Sequence, residues 1–307
     1  MKRPRIALAL GSGSARGWSH IGVIEALVEA GIEPDIVCGT SIGALVGATY
    51  LCGTLDKLHK WAESVTWRQI VGMIDVGLSG GGLIDGKPLV KFLRTIGVTG
   101  AIEDLPRPFA AVATDLATGR EVWFQSGPVL DAVRASIAIP GIFSPVRHKG
   151  QWLLDGALVN PVPVSLCRAS GAEVIIAVNL NGDQLGRWRK EEPVAAAHPP
   201  KRERPPRESF ASMLAQLPVT LGEQLQQIAP RLLAQDGAPG YFDVLAGAID
   251  IMQDHITRAR LAGEPPHITL VPRLRDIGLM DYHRAREIIA EGKAAVADAL
   301  PAIRRCL

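Results

Sequence analysis

The sequence predicts an α/β domain built on a mostly parallel sheet, and three observations carry that prediction. Ile6-Ala7-Leu8-Ala9-Leu10 is an unbroken apolar run closed by Gly11, the pattern of a strand buried on both faces, as parallel sheets require. A helix is expected over residues 18–30, with Ile21, Ile24, Leu27 and Val28 on one side, Gly31 as its C-cap and Pro34 as its stop. Residues 35–38 then read as a second strand, running through a tight turn into an apolar helix over 42–52. Strand, glycine loop, helix, strand, turn, helix is the grammar of a doubly wound α/β domain.

Further along, helices are expected over 55–63 and 87–95, with a Gly-rich loop at 77–82 between them. Strands follow over 109–114 and 121–124, joined by a turn at Thr118-Gly119. A helix over 129–136 ends at Ile139-Pro140-Gly141, and a short strand at 152–154 runs into Asp155-Gly156-Ala157. A helix over 164–169 and a buried strand over 173–179 close this part. The composition then changes, because residues 186–207 combine five prolines with many charges and are too polar to bury. Helices over 210–233 and 244–261, a strand over 267–271 and a helix over 281–300 complete the chain. The expected organisation is a core over 1–182, a Pro-rich charged loop over 183–210 and a mostly helical extension over 211–307 that packs on the core.

Composition narrows the function classes. With 307 residues, 47% apolar and 21% charged, the chain has the makeup of a folded globular protein. A net charge of +2 and the lack of a basic, aromatic-interleaved stripe argue against a nucleic-acid partner. Cys38, Cys52, Cys167 and Cys306 are too widely spaced to suggest a metal site and read as reduced thiols. The basic start is followed by an apolar run too short for a signal peptide, and no run approaches a membrane span. A cytoplasmic chain is expected, open to peripheral contact at the inner membrane surface.

Three stretches carry chemistry. Gly39-Thr40-Ser41-Ile42-Gly43 places a serine on a sharp strand-to-helix turn, where a hydroxyl stands forward and small neighbours let backbone pass close by. The loop at residues 11–17 follows the strand expected beside it, so both open at the carboxyl edge where α/β sites form. Its glycine-rich backbone can offer N–H donors to an oxyanion, with the Arg16 guanidinium near that pole. Asp155, at the end of a short strand, can turn a carboxylate back along the edge to accept the serine proton.

Each has a plainer alternative. Ser41 could serve only as a helix N-cap and Asp155 only as a turn initiator. The loop at 11–17 could hold a nucleotide phosphate, although it lacks a Walker lysine and its acidic ribose partner is ambiguous, Asp35 being one candidate. His20 could complete a triad, but its place behind the loop favours bracing. His255, His267 and His283 lie downstream as a triad would require, without a clear turn placement. Asp115 and Asn160 are expected to tie loops. The Leu214, Leu217, Leu221, Leu225 and Ile228 stripe favours core packing over a membrane face.

Together, Gly11-Ser12-Gly13-Ser14-Ala15-Arg16-Gly17, the Ser41 turn and Asp155-Gly156-Ala157 resemble the bacterial patatin-like phospholipases, especially the branch similar to neuropathy target esterase. Trp18-Ser19-His20-Ile21-Gly22, Ala113-Thr114-Asp115-Leu116 and Ala138-Ile139-Pro140-Gly141-Ile142-Phe143 extend the likeness across residues 6–180. The resemblance implies a three-layer α/β/α fold with a mostly parallel sheet. It also implies a Ser–Asp dyad, with Ser41 as nucleophile, Asp155 as base, and oxyanion amides from Gly11, Gly13 and Ser14 beside Arg16. The implied activity is phospholipase- or lysophospholipase-type ester hydrolysis through an acyl-serine, with a lipid or acyl-ester substrate and neither cofactor nor metal. One departure is visible: Ser12 and Ser14 replace glycines of the fuller loop pattern, which leaves open the pair of amides that forms the hole. A regulatory lipid-binding module without activity is the alternative.

Overall fold

The computed structural model describes residues 3–66, 69, 85–184 and 241–307. The expected loop at 77–82, the loop at 186–207 and the helix at 210–233 lie outside the described residues. One compact unit comprises Met1–Gln184 with Met252–Leu307, and Leu185–Ile251 forms a second. Residues 252–307, at the end of the chain, thus share a unit with the core.

In the first unit, strands β1 (Ile6–Leu10), β2 (Ile36–Thr40), β3 (Phe109–Asp115), β4 (Glu121–Phe124), β5 (Val146–His148), β6 (Gln151–Asp155), β7 (Val174–Val178) and β8 (Ile268–Leu270) form one sheet. Its order is β5-β6-β3-β2-β1-β7-β8, with β4 also paired to β3. The pairs β3–β2, β2–β1, β1–β7 and β7–β8 are parallel, whereas β4, β5 and β6 join antiparallel. The mostly parallel sheet is as expected, and the strand expected in the extension is its edge strand β8. The β5–β6 hairpin is an addition, with Lys149 and Gly150 at positive φ in its turn.

The layering follows from the two-residue period of a strand. Ile6, Leu8 and Leu10 of β1 enter a large core with Val37, while Ala7 and Ala9 point the other way. The large core lies under helices α1 (Ser19–Glu29), α2 (Ile42–Leu51), α3 (Leu55–Ser64), α4 (Lys87–Ile96), α5 (Val129–Ser136) and α8 (Ala285–Cys306). On the opposite face, small side chains from Ala7, Ala9, Cys38, Ala110 and Ala177 let α6 (Val164–Ala169) lie close, with Val164, Leu166 and Cys167 against the sheet. Leu261 of α7 (Tyr241–Gly263) packs on the same face. This is the three-layer α/β/α arrangement. All four cysteines are free.

Helix α2 is apolar nearly all round because it is enclosed: every residue from Ile42 to Thr49 is buried. Helices α1 and α8 cross at a point set by two glycines. A Cβ on Gly22 would lie 2.0 Å from the Ile289 carbonyl oxygen, and one on Gly292 would lie 2.0 Å from that of Ser19. Each helix thus rests on the other's backbone. Replacing Gly292 by leucine should force the pair apart and cost about 1–3 kcal/mol, read as a lowered thermal midpoint with the same far-UV circular dichroism at about 20 °C.

Candidate active site

The register of β3 determines where two chemically important residues meet. On one side of β3, Ala111, Val112 and Ala113 pair with Phe124, Trp123 and Val122 of β4. On its other side, Val112 pairs with Thr40, the last residue of β2, and Ala113 with Asp155, the last residue of β6. Strands β2 and β6 therefore run towards each other along the same flank of β3 and end side by side. Ser41 follows Thr40 directly, and its Oγ donates to Asp155 Oδ2 at 2.6 Å.

Both residues are buried, Ser41 at 3% and Asp155 at 2% exposure. Asp155 also accepts the Ala157 N–H on Oδ1 at 2.8 Å, which orients the carboxylate. Burial dominates its ionisation, raising the carboxyl from its ordinary 3.8 to about 7, against the opposing effect of the hydrogen bonds from Ser41 and Ala157. A carboxylate in this setting can take a hydroxyl proton and return it near neutral pH. Gly156 is required beside it, since a Cβ there would stand 2.3 Å from the Val112 carbonyl oxygen.

The turn at Ser41 is strained and heavily supported. Ser41 has φ 57° and ψ −123°, a conformation rarely adopted by a residue with a side chain. Its N–H donates to Ser136 Oγ at 2.8 Å, and that hydroxyl donates onward to the Val112 carbonyl at 2.6 Å. Thr40 Oγ1 donates to the Asn160 carbonyl, and Thr114 Oγ1 to the Asp155 carbonyl, both at 2.8 Å. Gly43 allows α2 to pass over the end of β1, where a Cβ would stand 2.1 Å from the Leu10 carbonyl oxygen. Helix α2 begins directly behind Ser41, so its positive end supports negative charge developing there.

The loop at 11–17 borders the same place, with its amides unequally committed. The Gly11 N–H is donated to the Val178 carbonyl at 3.1 Å, which corrects its expected role as an oxyanion donor. Ser12 N–H binds the Pro161 carbonyl, Ala15 N–H the Leu279 carbonyl and Arg16 N–H the Gly13 carbonyl. Among the described residues, the N–H groups of Gly13 and Ser14 have no such acceptor. Arg16 is wholly buried, and its Nη1 donates to Asn181 Oδ1 at 2.8 Å, so the guanidinium braces the loop instead of lining the pocket. Asn181 Nδ2 and Ser12 Oγ in turn both donate to Gln253 Oε1, at 2.8 and 3.0 Å.

The histidines take other roles. His20 is wholly buried and its Nε2–H donates to the Gly11 carbonyl at 2.7 Å. Burial lowers its pKa to about 4, so it is a neutral brace at neutral pH. His267 Nδ1 accepts from the Ile175 N–H, while His255 and His283 are exposed. Asp35 sits at the amino edge of the sheet, bound to Arg3 and the Ile6 N–H, opposite the carboxyl edge that bears the glycine loop. The acidic partner of the nucleotide reading is therefore misplaced. Asp115 and Asn160 tie loops, accepting from Ala117 N–H and donating to Ser165 Oγ respectively. Among the described residues no cluster of potential ligands could hold a metal ion.

Ser41 opens onto an apolar pocket of about 940 Å³, its open mouth included. Leu45, Leu58, Trp61, Phe92, Ile139 and Phe143 contribute to its walls, and Ser14 and Tyr282 share its polar corner with Ser41. Sequence analysis did not single out Ser136, Gln253 or Tyr282. Each lies far along the chain from Ser41, and none belongs to a motif.

The profile of the patatin-like phospholipases matches residues 8–168, more than half of the chain. An uncharacterised NTE family protein of Mycobacterium tuberculosis is 38% identical over 97% of this chain and 92% of its own length. Human patatin-like phospholipase domain-containing protein 6 is 33% identical over 60% of this chain, a stretch covering 14% of that larger protein. A looser structural likeness, with TM-score 0.46 at 12% identity, joins 96% of the chain to 67% of VipD from Legionella pneumophila. Residues 8–168 run from within β1 through β6 and include the glycine loop, Ser41 and Asp155, and the chain belongs to the patatin-like phospholipase family of lipid hydrolases.

Proposed function

We propose that the protein is a serine acyl-ester hydrolase of the phospholipase or lysophospholipase type, working through a Ser41–Asp155 dyad. The observation that carries this reading is the 2.6 Å hydrogen bond from Ser41 Oγ to a buried carboxylate at the mouth of an apolar pocket. In the forward step Asp155 takes the Ser41 proton as Oγ attacks the ester carbonyl. The N–H groups of Gly13 and Ser14 receive the oxyanion, supported by the positive end of α2. Collapse expels the alcohol, which takes its proton from Asp155 and leaves an acyl-serine. Water then repeats the sequence, giving its proton to Asp155, releasing the fatty acid and restoring Ser41. The pocket supplies an apolar bed for the acyl chain. The substrate is a lipid or other acyl ester, met at a membrane surface or in solution, and no metal or cofactor enters these steps. Among the described residues no helix is long and apolar enough to cross a membrane.

Ser41→Ala and Asp155→Asn should each lower turnover of a short p-nitrophenyl ester by at least about 1000-fold while circular dichroism is unchanged. A fluorophosphonate probe should label Ser41 in the wild type. An unlabelled but folded wild type would instead favour a lipid-binding module, and an active Asp155→Asn would remove the dyad.

The pH dependence follows from the buried carboxyl. Its ionised form is the base, so kcat/KM should rise with pH through about 7 and at about pH 6 stand at roughly a tenth of its plateau. Stability should move the other way. Between pH 3.8 and about 7 the folded carboxyl holds a proton that the unfolded chain has released, so folding weakens as pH rises across that window. Asp155→Asn should therefore gain thermal midpoint relative to wild type as pH rises from about 4 to about 8, measured by calorimetry. Ser136→Ala leaves the Ser41 N–H buried without its acceptor, and should cost about 1–3 kcal/mol of stability as well as slowing turnover.

A further inference from the structure

We propose that Tyr282 is a positioning residue for the reaction: through Ser14 it holds the glycine loop in the conformation that presents the Gly13 and Ser14 N–H groups to the oxyanion. This rests on the Ser41 hydrolase reading above.

Ser14 is one of three non-glycine residues at positive φ among the described residues, with φ 52°. A left-handed conformation is unfavourable for an L residue, a cost that the support of neighbouring contacts must offset. The support comes from a segment more than 260 residues further along the chain. Ser14 Oγ and the Tyr282 hydroxyl share a hydrogen bond of 2.6 Å. The next residue, Ala15, donates its N–H to the Leu279 carbonyl at 3.0 Å. Trp18, where the same turn ends, donates Nε1–H to the Tyr282 carbonyl at 3.1 Å. Three hydrogen bonds thus stitch residues 14–18 to residues 279–282.

The tyrosine is itself held in place. Its ring meets Trp18 edge-on, with centroids 5.8 Å apart and planes at 68°, and Trp18 meets Trp61 in the same manner at 6.0 Å. The hydroxyl can therefore act as a fixed anchor. Its position in the pocket wall with Ser14 and Ser41 sets the bond beside the reacting atoms. Phenylalanine at 282 would keep the ring and its stacking and remove only the bond to Ser14.

The mechanism makes a prediction that neither packing nor direct substrate contact shares. Glycine tolerates positive φ without a tether. A loop carrying Ser14→Gly should no longer depend on the Tyr282 hydroxyl, while its N–H at position 14 remains. The experiment measures kcat and KM for a p-nitrophenyl ester, the rate of fluorophosphonate labelling and the thermal midpoint. The proteins are wild type, Y282F, S14G, Y282F/S14G and S41A.

Y282F is expected to lower kcat and the labelling rate by about tenfold or more, with KM within about twofold and the thermal midpoint nearly unchanged, the signature of support realised in the transition state. In the S14G background, Y282F should change kcat by less than about twofold. Wild-type kcat in Y282F would overturn the proposal. So would an equal loss in both backgrounds, which would mean that the phenol acts on substrate directly. An active S41A would overturn the hydrolase reading itself, whereas an inactive S41A with a fully active Y282F overturns only the role of Tyr282.

Discussion

The site depends on one geometric constraint, the shared flank of β3. Because β2 ends opposite Val112 and β6 ends opposite Ala113, two strands of opposite direction finish against adjacent residues of β3. A strand rises a little over 3 Å per residue, so the residues at these ends lie close enough for direct hydrogen bonding. Ser41 and Asp155, 114 positions apart, meet at 2.6 Å for this reason. A one-residue slip of β6 would turn the Asp155 side chain to the other face of the sheet. Gly156 protects the register, since the Val112 carbonyl occupies the space a Cβ would need.

Around that meeting point the backbone is held by hydroxyls. Ser136, Thr40 and Thr114 each place a side-chain oxygen against a backbone carbonyl or N–H beside the Ser41 and Asp155 turns. Such support keeps the strained Ser41 conformation from relaxing. The same enclosure removes water from Asp155 and raises its carboxyl to about 7. Basicity and instability of the charged form then have a single origin, burial, which is a common relation between active sites and the stability of their folds.

The last part of the chain completes the unit in three ways. Strand β8 extends the sheet beyond β7, helix α8 interlocks with α1 through Gly22 and Gly292, and residues 279–282 brace the glycine loop. Gln253 adds a fourth tie, since it accepts from both Ser12 and Asn181 while Asn181 accepts from Arg16. Ser41, Asp155 and the backbone groups that hold them are thus drawn from the first 160 residues and steadied by the end of the chain.

The sequence by itself determined the strand–loop–helix order, the mostly parallel sheet, the Ser41 turn and the identity of Asp155 as the residue to look for. Those features are local: an apolar run, a glycine at a close approach and a short motif are written in consecutive residues. Only the tertiary structure decided the amide and hydroxyl partners. It turned the Gly11 N–H to Val178 and the Arg16 guanidinium to Asn181, and it brought Ser136, Gln253 and Tyr282 to the site. The physical reason is that a hydrogen-bond partner depends on the direction of a group in space. For these residues that direction follows from strand register and helix crossing, which no stretch of neighbouring residues encodes.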